Sequence, residues 1–220
     1  MRILLSKEFK TKLGIIRTWI QSDIDDSVIA QDDYYITTAN YQINLQSFEL
    51  RNDWISVTMS FDSSIGWRWF VEKTSDSIEN LILFCTLIKP KPNLELDYCS
   101  GECLDAVEIS NQTHILHIGT EDGEIMRSRS MNNDCMPLRF ENLLDYDQTF
   151  TKYLDFGFKT IIPALYNQEK IYFHYLIATK TIKQSLEYSK AKDIDISTWF
   201  AVDQSKTFLD QYLGVESEQS

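Results

Sequence analysis

The feature that most restricts the fold of this chain is a hydrophobic period of two. Between residues 54 and 61, Ile55, Val57, Met59 and Phe61 alternate with Ser56, Thr58 and Ser60, the pattern of a strand with one buried and one wet face. Strand-like runs surround it at residues 34–38, 41–50 and 67–73, with turns expected at Asn52-Asp53 and across residues 62–66. Connections this short predict hairpins and therefore an antiparallel sheet. More strands are predicted at 80–88, 94–98, 104–109, 113–119 and 124–130; the first of these also fits the end of a helix starting near Asp76. Lys89-Pro90-Lys91-Pro92 cannot sit in a central ladder and predicts a connection across one end of the fold. Residues 171–179 are apolar on both faces apart from His174, as in a central strand covered on both sides.

Helical spacing points to a smaller set of elements. Phe9, Leu13, Ile16 and Ile20 predict an amphipathic N-terminal helix over 7–21. Asp147 is a candidate N-cap for a helix running through Phe150, Tyr153 and Leu154 to Gly157, and Pro163 interrupts regular structure beyond it. Two C-terminal helices are predicted, a lysine-rich one over 182–192 and another over 203–213 that groups Phe208, Leu209, Tyr212 and Leu213. The resulting fold class is α+β: mainly antiparallel sheets of hairpins, with an N-terminal helix and C-terminal helices packed on the sheet. With 220 residues, 28 aromatics and no linker, a single domain over 1–220 is expected, and 89–93 is the place for any internal division.

Neither a membrane span nor a secretory signal is expected. The apolar run from Leu81 to Cys85, extended past Thr86 by Leu87 and Ile88, falls far short of the ~20 residues that cross a bilayer. Met1-Arg2 is followed by three apolar residues before Ser6-Lys7, against the ~7–15 of a signal core. The expected location is cytoplasmic, and Cys85, Cys99, Cys103 and Cys135 are read as reduced thiols.

Charge is the main functional clue. A net charge of −12 repels phosphate backbones and anionic lipid, so neither nucleic acid nor membrane is an expected partner. Two stretches hold most of it, residues 21–62 with a net −7 and 93–150 with a net −9. Asp23, Asp25, Asp26, Asp32 and Asp33 crowd the first, followed by the aromatic pair Tyr34 and Tyr35. Glu95, Asp97, Glu102, Asp105, Glu108, Glu121, Asp122 and Glu124 are spread through the second. Solvated loops and polar strand faces account for such runs, and so does a docking surface for a basic protein. Trp54, Trp67 and Trp69 fit either aromatic anchors for that partner or core packing.

Chemistry-bearing motifs are scarce. The order Cys99, Cys103, His114, His117 superficially follows a zinc-site pattern, but both intervals are short, and residues three apart on a strand point to opposite faces. No metal or cofactor is therefore assigned. Phosphate loops, nucleophile elbows, metalloprotease helices and dinucleotide fingerprints are all missing, which favours a binding protein over an enzyme. If Asp122-Gly123 forms a two-residue hairpin loop, Arg127 and Arg129 share a face with His114, Leu116 and Ile118, giving an alternative patch for a small ligand or for catalysis. An edge strand whose arginines extend to solvent or pair with nearby acids explains the same residues. The leading expectation is an acidic inhibitor that neutralises a basic partner, as bacterial immunity proteins mask toxic nucleases. Its partner-binding residues are expected among Asp23, Asp25, Asp26, Asp32, Asp33, Tyr34, Tyr35, Glu102, Asp105, Glu108, Glu121 and Asp122.

Overall fold

A computed structural model describes residues 1–23, 27–50, 61–77, 80–100, 104–144 and 149–181. The predicted strand at 54–61, apart from Phe61, and both C-terminal helices lie outside the described residues. Thirteen strands are described: β1 Arg2–Lys10, β2 Ile15–Ser22, β3 Val28–Gln31, β4 Tyr35–Thr38, β5 Tyr41–Phe48, β6 Ser63–Lys73, β7 Leu81–Ile88, β8 Glu95–Ser100, β9 Leu104–Ser110, β10 His114–Glu121, β11 Thr151–Leu154, β12 Gly157–Ile162 and β13 Lys170–Thr181. One α-helix, α1 Gly123–Met131, and a 3-10 turn, Leu138–Leu143, fall between β10 and β11.

The strands form two wholly antiparallel sheets, ordered β1-β2-β7-β12-β11 and β3-β4-β5-β6-β13-β10-β9-β8. A buried cluster draws on both: Ile16, Ile20, Leu83, Cys85 and Phe158 from the first sheet, and Trp69, Val71, Phe173, Tyr175 and Ile177 from the second. Two polar links cross this apolar layer. Trp69 Nε1 donates to Thr18 Oγ1 at 2.8 Å, and the Tyr175 hydroxyl lies 2.8 Å from Thr160 Oγ1. A buried indole N–H or phenol needs such a partner, and here the partner also pins one sheet to the other. β13 lies between β6 and β10, with residues 171–178 all buried, as its two-sided apolar pattern predicted. The proline-bearing stretch after β7 carries the chain from the five-stranded sheet to the eight-stranded one.

Four expectations are corrected. Residues 7–21 form no helix; they belong to the β1–β2 hairpin, where Phe9 faces Ile16 across the ladder and Thr11 Oγ1 accepts from the Leu13 and Gly14 amides at 3.1 Å each. Dense β-branched side chains at Ile15, Ile16, Thr18 and Ile20 favour strand over helix. Residues 124–130 are helical instead of extended, because Asp122 Oδ1 caps the Ile125 amide at 2.8 Å and Glu124 sits favourably in the first turn. In place of a helix ending at Gly157 there is the β11–β12 hairpin. Gly157 is needed there for close approach, since a Cβ would lie 2.1 Å from the Cys85 carbonyl oxygen on β7. Residues 63–66 are the start of β6 and not a turn, with Gly66 opposite Phe48 and leaving room for its ring.

Candidate functional site

The hairpin register that would have joined His114 to Arg127 and Arg129 does not form. His114 opens β10 and Glu121 closes it, seven residues or roughly 23 Å later, and α1 begins only beyond that point. Arg127 is half exposed, with Glu141 4.0 Å away. His114 holds Thr113 Oγ1 at 2.7 Å, while His117, fully buried, holds Glu108 at 3.2 Å. Three apart on one strand, these histidines occupy opposite faces. Cys103 lies outside the described residues, and no group of metal-ligating side chains assembles among the described residues.

Arg129 instead organises a buried polar cluster. Its Nη1 donates to both Glu121 carboxylate oxygens, at 2.8 and 2.6 Å, and to the Tyr172 carbonyl at 3.1 Å. Nη2 reaches the carbonyls of Asp134 and Cys135 at 3.4 and 3.3 Å, and the guanidinium carbon stands 3.4 Å from the Tyr172 ring centroid. His174 Nδ1 lies 3.5 Å from Glu121. One planar fork thus ties the end of β10, the start of β13 and the loop after α1, a task suited to guanidinium geometry. Glu121 is fully buried and Arg129 is 5% exposed, so the cluster offers no open face for a substrate.

Beside it, a 440 Å³ groove is lined by Cys135, Arg139, Glu169 and Lys170 among others. Arg139 Nε and Nη2 grip Glu169, whose carboxylate also accepts from the Tyr166 amide at 2.7 Å. Partial burial pushes the Glu169 carboxyl up, and the Arg139 and Tyr166 bonds outweigh it, leaving it below the ordinary carboxylate range. Burial raises the Cys135 thiol above its ordinary value against the pull of Arg129, Lys170 and Arg68, and it raises Cys85 further. Both thiols are therefore poor nucleophiles at neutral pH.

The sequence-predicted acidic residues separate into three groups. Asp25, Asp26 and Glu102 lie outside the described residues. Internal contacts occupy a second group: Glu121 with Arg129, Asp122 as the α1 cap, and Glu108 with His117. Asp105 on β9 is half-buried. The third group is exposed. Asp23 binds the Asn80 amide at 3.2 Å, Asp32 caps Tyr34 N at 2.7 Å, and Asp33 pairs with Lys7 at 3.5 Å while the Lys7 ammonium sits 3.9 Å from the Tyr34 ring. Tyr34 is 48% exposed; Tyr35 is half-buried, with its hydroxyl against Thr37. Trp67 and Trp69 are core residues, at 1% and 0% exposed.

Glu95 and Asp97 stand apart from all of these. They lie on β8, the last strand of the eight-stranded sheet, in a run with Leu96 and Tyr98, which are 38% and 50% exposed, and among the described residues neither carboxylate pairs with a cation. Asp97 accepts from the Tyr98 amide at 2.8 Å. Asp32 and Asp33 adjoin β3, at the sheet's opposite edge, seven strand spacings or roughly 34 Å along the sheet at ~4.8 Å per strand. The exposed acids therefore do not form one continuous surface. No family model matches the chain, and no curated protein or solved structure matches it.

Proposed function

We propose that this chain is a non-catalytic acidic binding protein that docks on a basic protein partner and masks it. The observation that carries the reading is β8, where Glu95 and Asp97 carry negative charge that pairs with no cation among the described residues, beside exposed Leu96 and Tyr98. Such a mixture suits a protein interface, in which carboxylates steer encounter and a few desolvated apolar contacts supply affinity. The sealed Arg129 cluster and the depressed reactivity of Cys135 give no comparable support to catalysis. Masking a basic toxin domain in the manner of immunity proteins, within the cytoplasm, is the specific form of this reading. Of the residues expected from sequence, Glu108 flanks the β8 surface, whereas Asp32, Asp33 and Tyr34 belong to the opposite edge.

The test is the association rate with a basic protein crosslinked to the wild-type chain and identified. Glu95→Lys combined with Asp97→Lys should slow association about tenfold or more at low salt, and the difference should shrink as salt screens it. Unchanged association kinetics would remove β8 as the docking surface.

A further inference from the structure

The open edge of the same strand bears on the mode of docking, an inference that rests on the proposed function. Among the described strands β8 pairs with β9 alone, Asp97 lying opposite Glu108 and Tyr98 opposite Val107. In an antiparallel ladder, alternate residues turn their amide and carbonyl away from the neighbour. The Tyr98 amide donates to the Asp97 carboxylate, which places Tyr98, and by alternation Leu96, in the outward-facing set. Among the described residues a short row of backbone groups thus remains at the sheet edge, shielded by one carboxylate.

Each of the other edge strands, β3, β1 and β11, is short or interrupted. β3 has four residues, shifts register between Val28 and Ala30, and sends Gln31 Nε2 to the Leu4 carbonyl of β1. β1 shifts register in turn between Ile3 and Leu5, and β11 is four residues long. Register shifts, brevity and side-chain cover are the usual protections of an edge. β8 has no proline, lysine or register shift.

We propose that β8 is a strand-addition site for an extended partner segment with lysine or arginine at alternate positions and aliphatic residues between them. Glu95 and Asp97 share one face of the strand, and Asp97 sits directly across from Glu108, a like-charge juxtaposition that a cation on the neighbouring strand relieves. Leu96 and Tyr98 share the other face, where Tyr98 meets the Tyr153 ring edge-on at 5.2 Å, and aliphatic side chains extend that patch. A second copy is the wrong occupant: pairing β8 with itself sets acids against acids. On docking, the incoming cation draws Asp97 away from the Tyr98 amide, and the partner's carbonyl takes its place.

The probe is the peptide acetyl-Lys-Val-Lys-Val-Lys-Val-Lys-amide, with a block peptide of identical composition as control. Expected are preferential binding of the alternating peptide, about tenfold or greater slowing of amide exchange at Leu96 and Tyr98, and about tenfold weaker binding to Leu96→Pro. N-methylating alternate peptide residues on unaltered protein should abolish binding in one frame and spare it in the other, a readout independent of how Leu96→Pro folds. Equal binding of both peptides without amide protection would overturn strand addition while leaving acidic docking intact. Equal binding to the Glu95→Lys, Asp97→Lys variant would overturn both. Concentration-dependent dimers protected at β8 would overturn the heterologous partner.

Discussion

Glu121 and Asp97 belong to the same acidic stretch of sequence and have opposite physical roles. Glu121 is fully buried and held by two bonds from Arg129 with His174 alongside; Asp97 is exposed, lies across the ladder from Glu108, and among the described residues accepts a local amide alone. The first is internal wiring and the second is solvent-exposed surface. Negative charge in a sequence is thus informative about binding only after the carboxylates used inside the fold have been subtracted.

Removing the cation from the buried site should produce the largest effect. Arg129→Ala leaves the Glu121 carboxylate without its guanidinium and frees the carbonyls of Tyr172, Asp134 and Cys135, so stability should fall by about 3–5 kcal/mol in urea unfolding. Adding Glu121→Gln should restore part of that loss, because the orphaned charge disappears. Two independent penalties that simply add would show that the ion pair is not the source of the cost.

The Arg139–Glu169 pair lies between the two extremes, with side chains 32% and 22% exposed. Arg139→Ala should cost about 1 kcal/mol or less. Glu169 has a folded carboxyl shifted downward, so its contribution is complete above the unfolded range near ~4.3 and is lost as pH falls through the lower folded value. Melting temperatures of wild type and Arg139→Ala should therefore differ at neutral pH and converge in acid. A gap that widens on acidification would reverse the assigned sign.

Much of the sheet was legible because strand signals are local. Ile171 to Ala178 are apolar on both faces apart from His174 and lie in a central strand; Tyr41, Ile43 and Leu45 alternate and are buried on one face. The failures occurred where one spacing served two geometries. Phe9, Leu13, Ile16 and Ile20 fit a helical stripe, but the Thr11–Gly14 turn folds Phe9 back against Ile16, and β-branched density was the signal for it. Asp122-Gly123 suits a hairpin loop as well as a helix start, and only the cap to Ile125 separates them. The candidate site was half visible: the acids and the strand at 94–98 are in the sequence, but edge position is a property of the strand order. Leu96 and Tyr98 were missed for that reason. Arg129 was singled out with the wrong neighbours, since its partners come from β10, β13 and the following loop.

The smallest stability effect should come from Asp97→Asn, which separates the two roles of that residue most cleanly. The amide oxygen can still accept from the Tyr98 N–H, so the local turn of the side chain over the edge is retained. Removing the charge relieves repulsion from Glu108 across the ladder, so stability should stay within about 0.5 kcal/mol of wild type or rise slightly. Binding of the alternating lysine–valine peptide should weaken nevertheless, because the cation then loses its nearest counter-charge. Asp97→Ala should open the Tyr98 amide and also lose the charge, so a peptide held mainly by backbone pairing would bind it better than Asp97→Asn. Equal weakening in the two variants would place the energy in the carboxylate, and a loss of stability in Asp97→Asn would move Asp97 into the same class as Glu121.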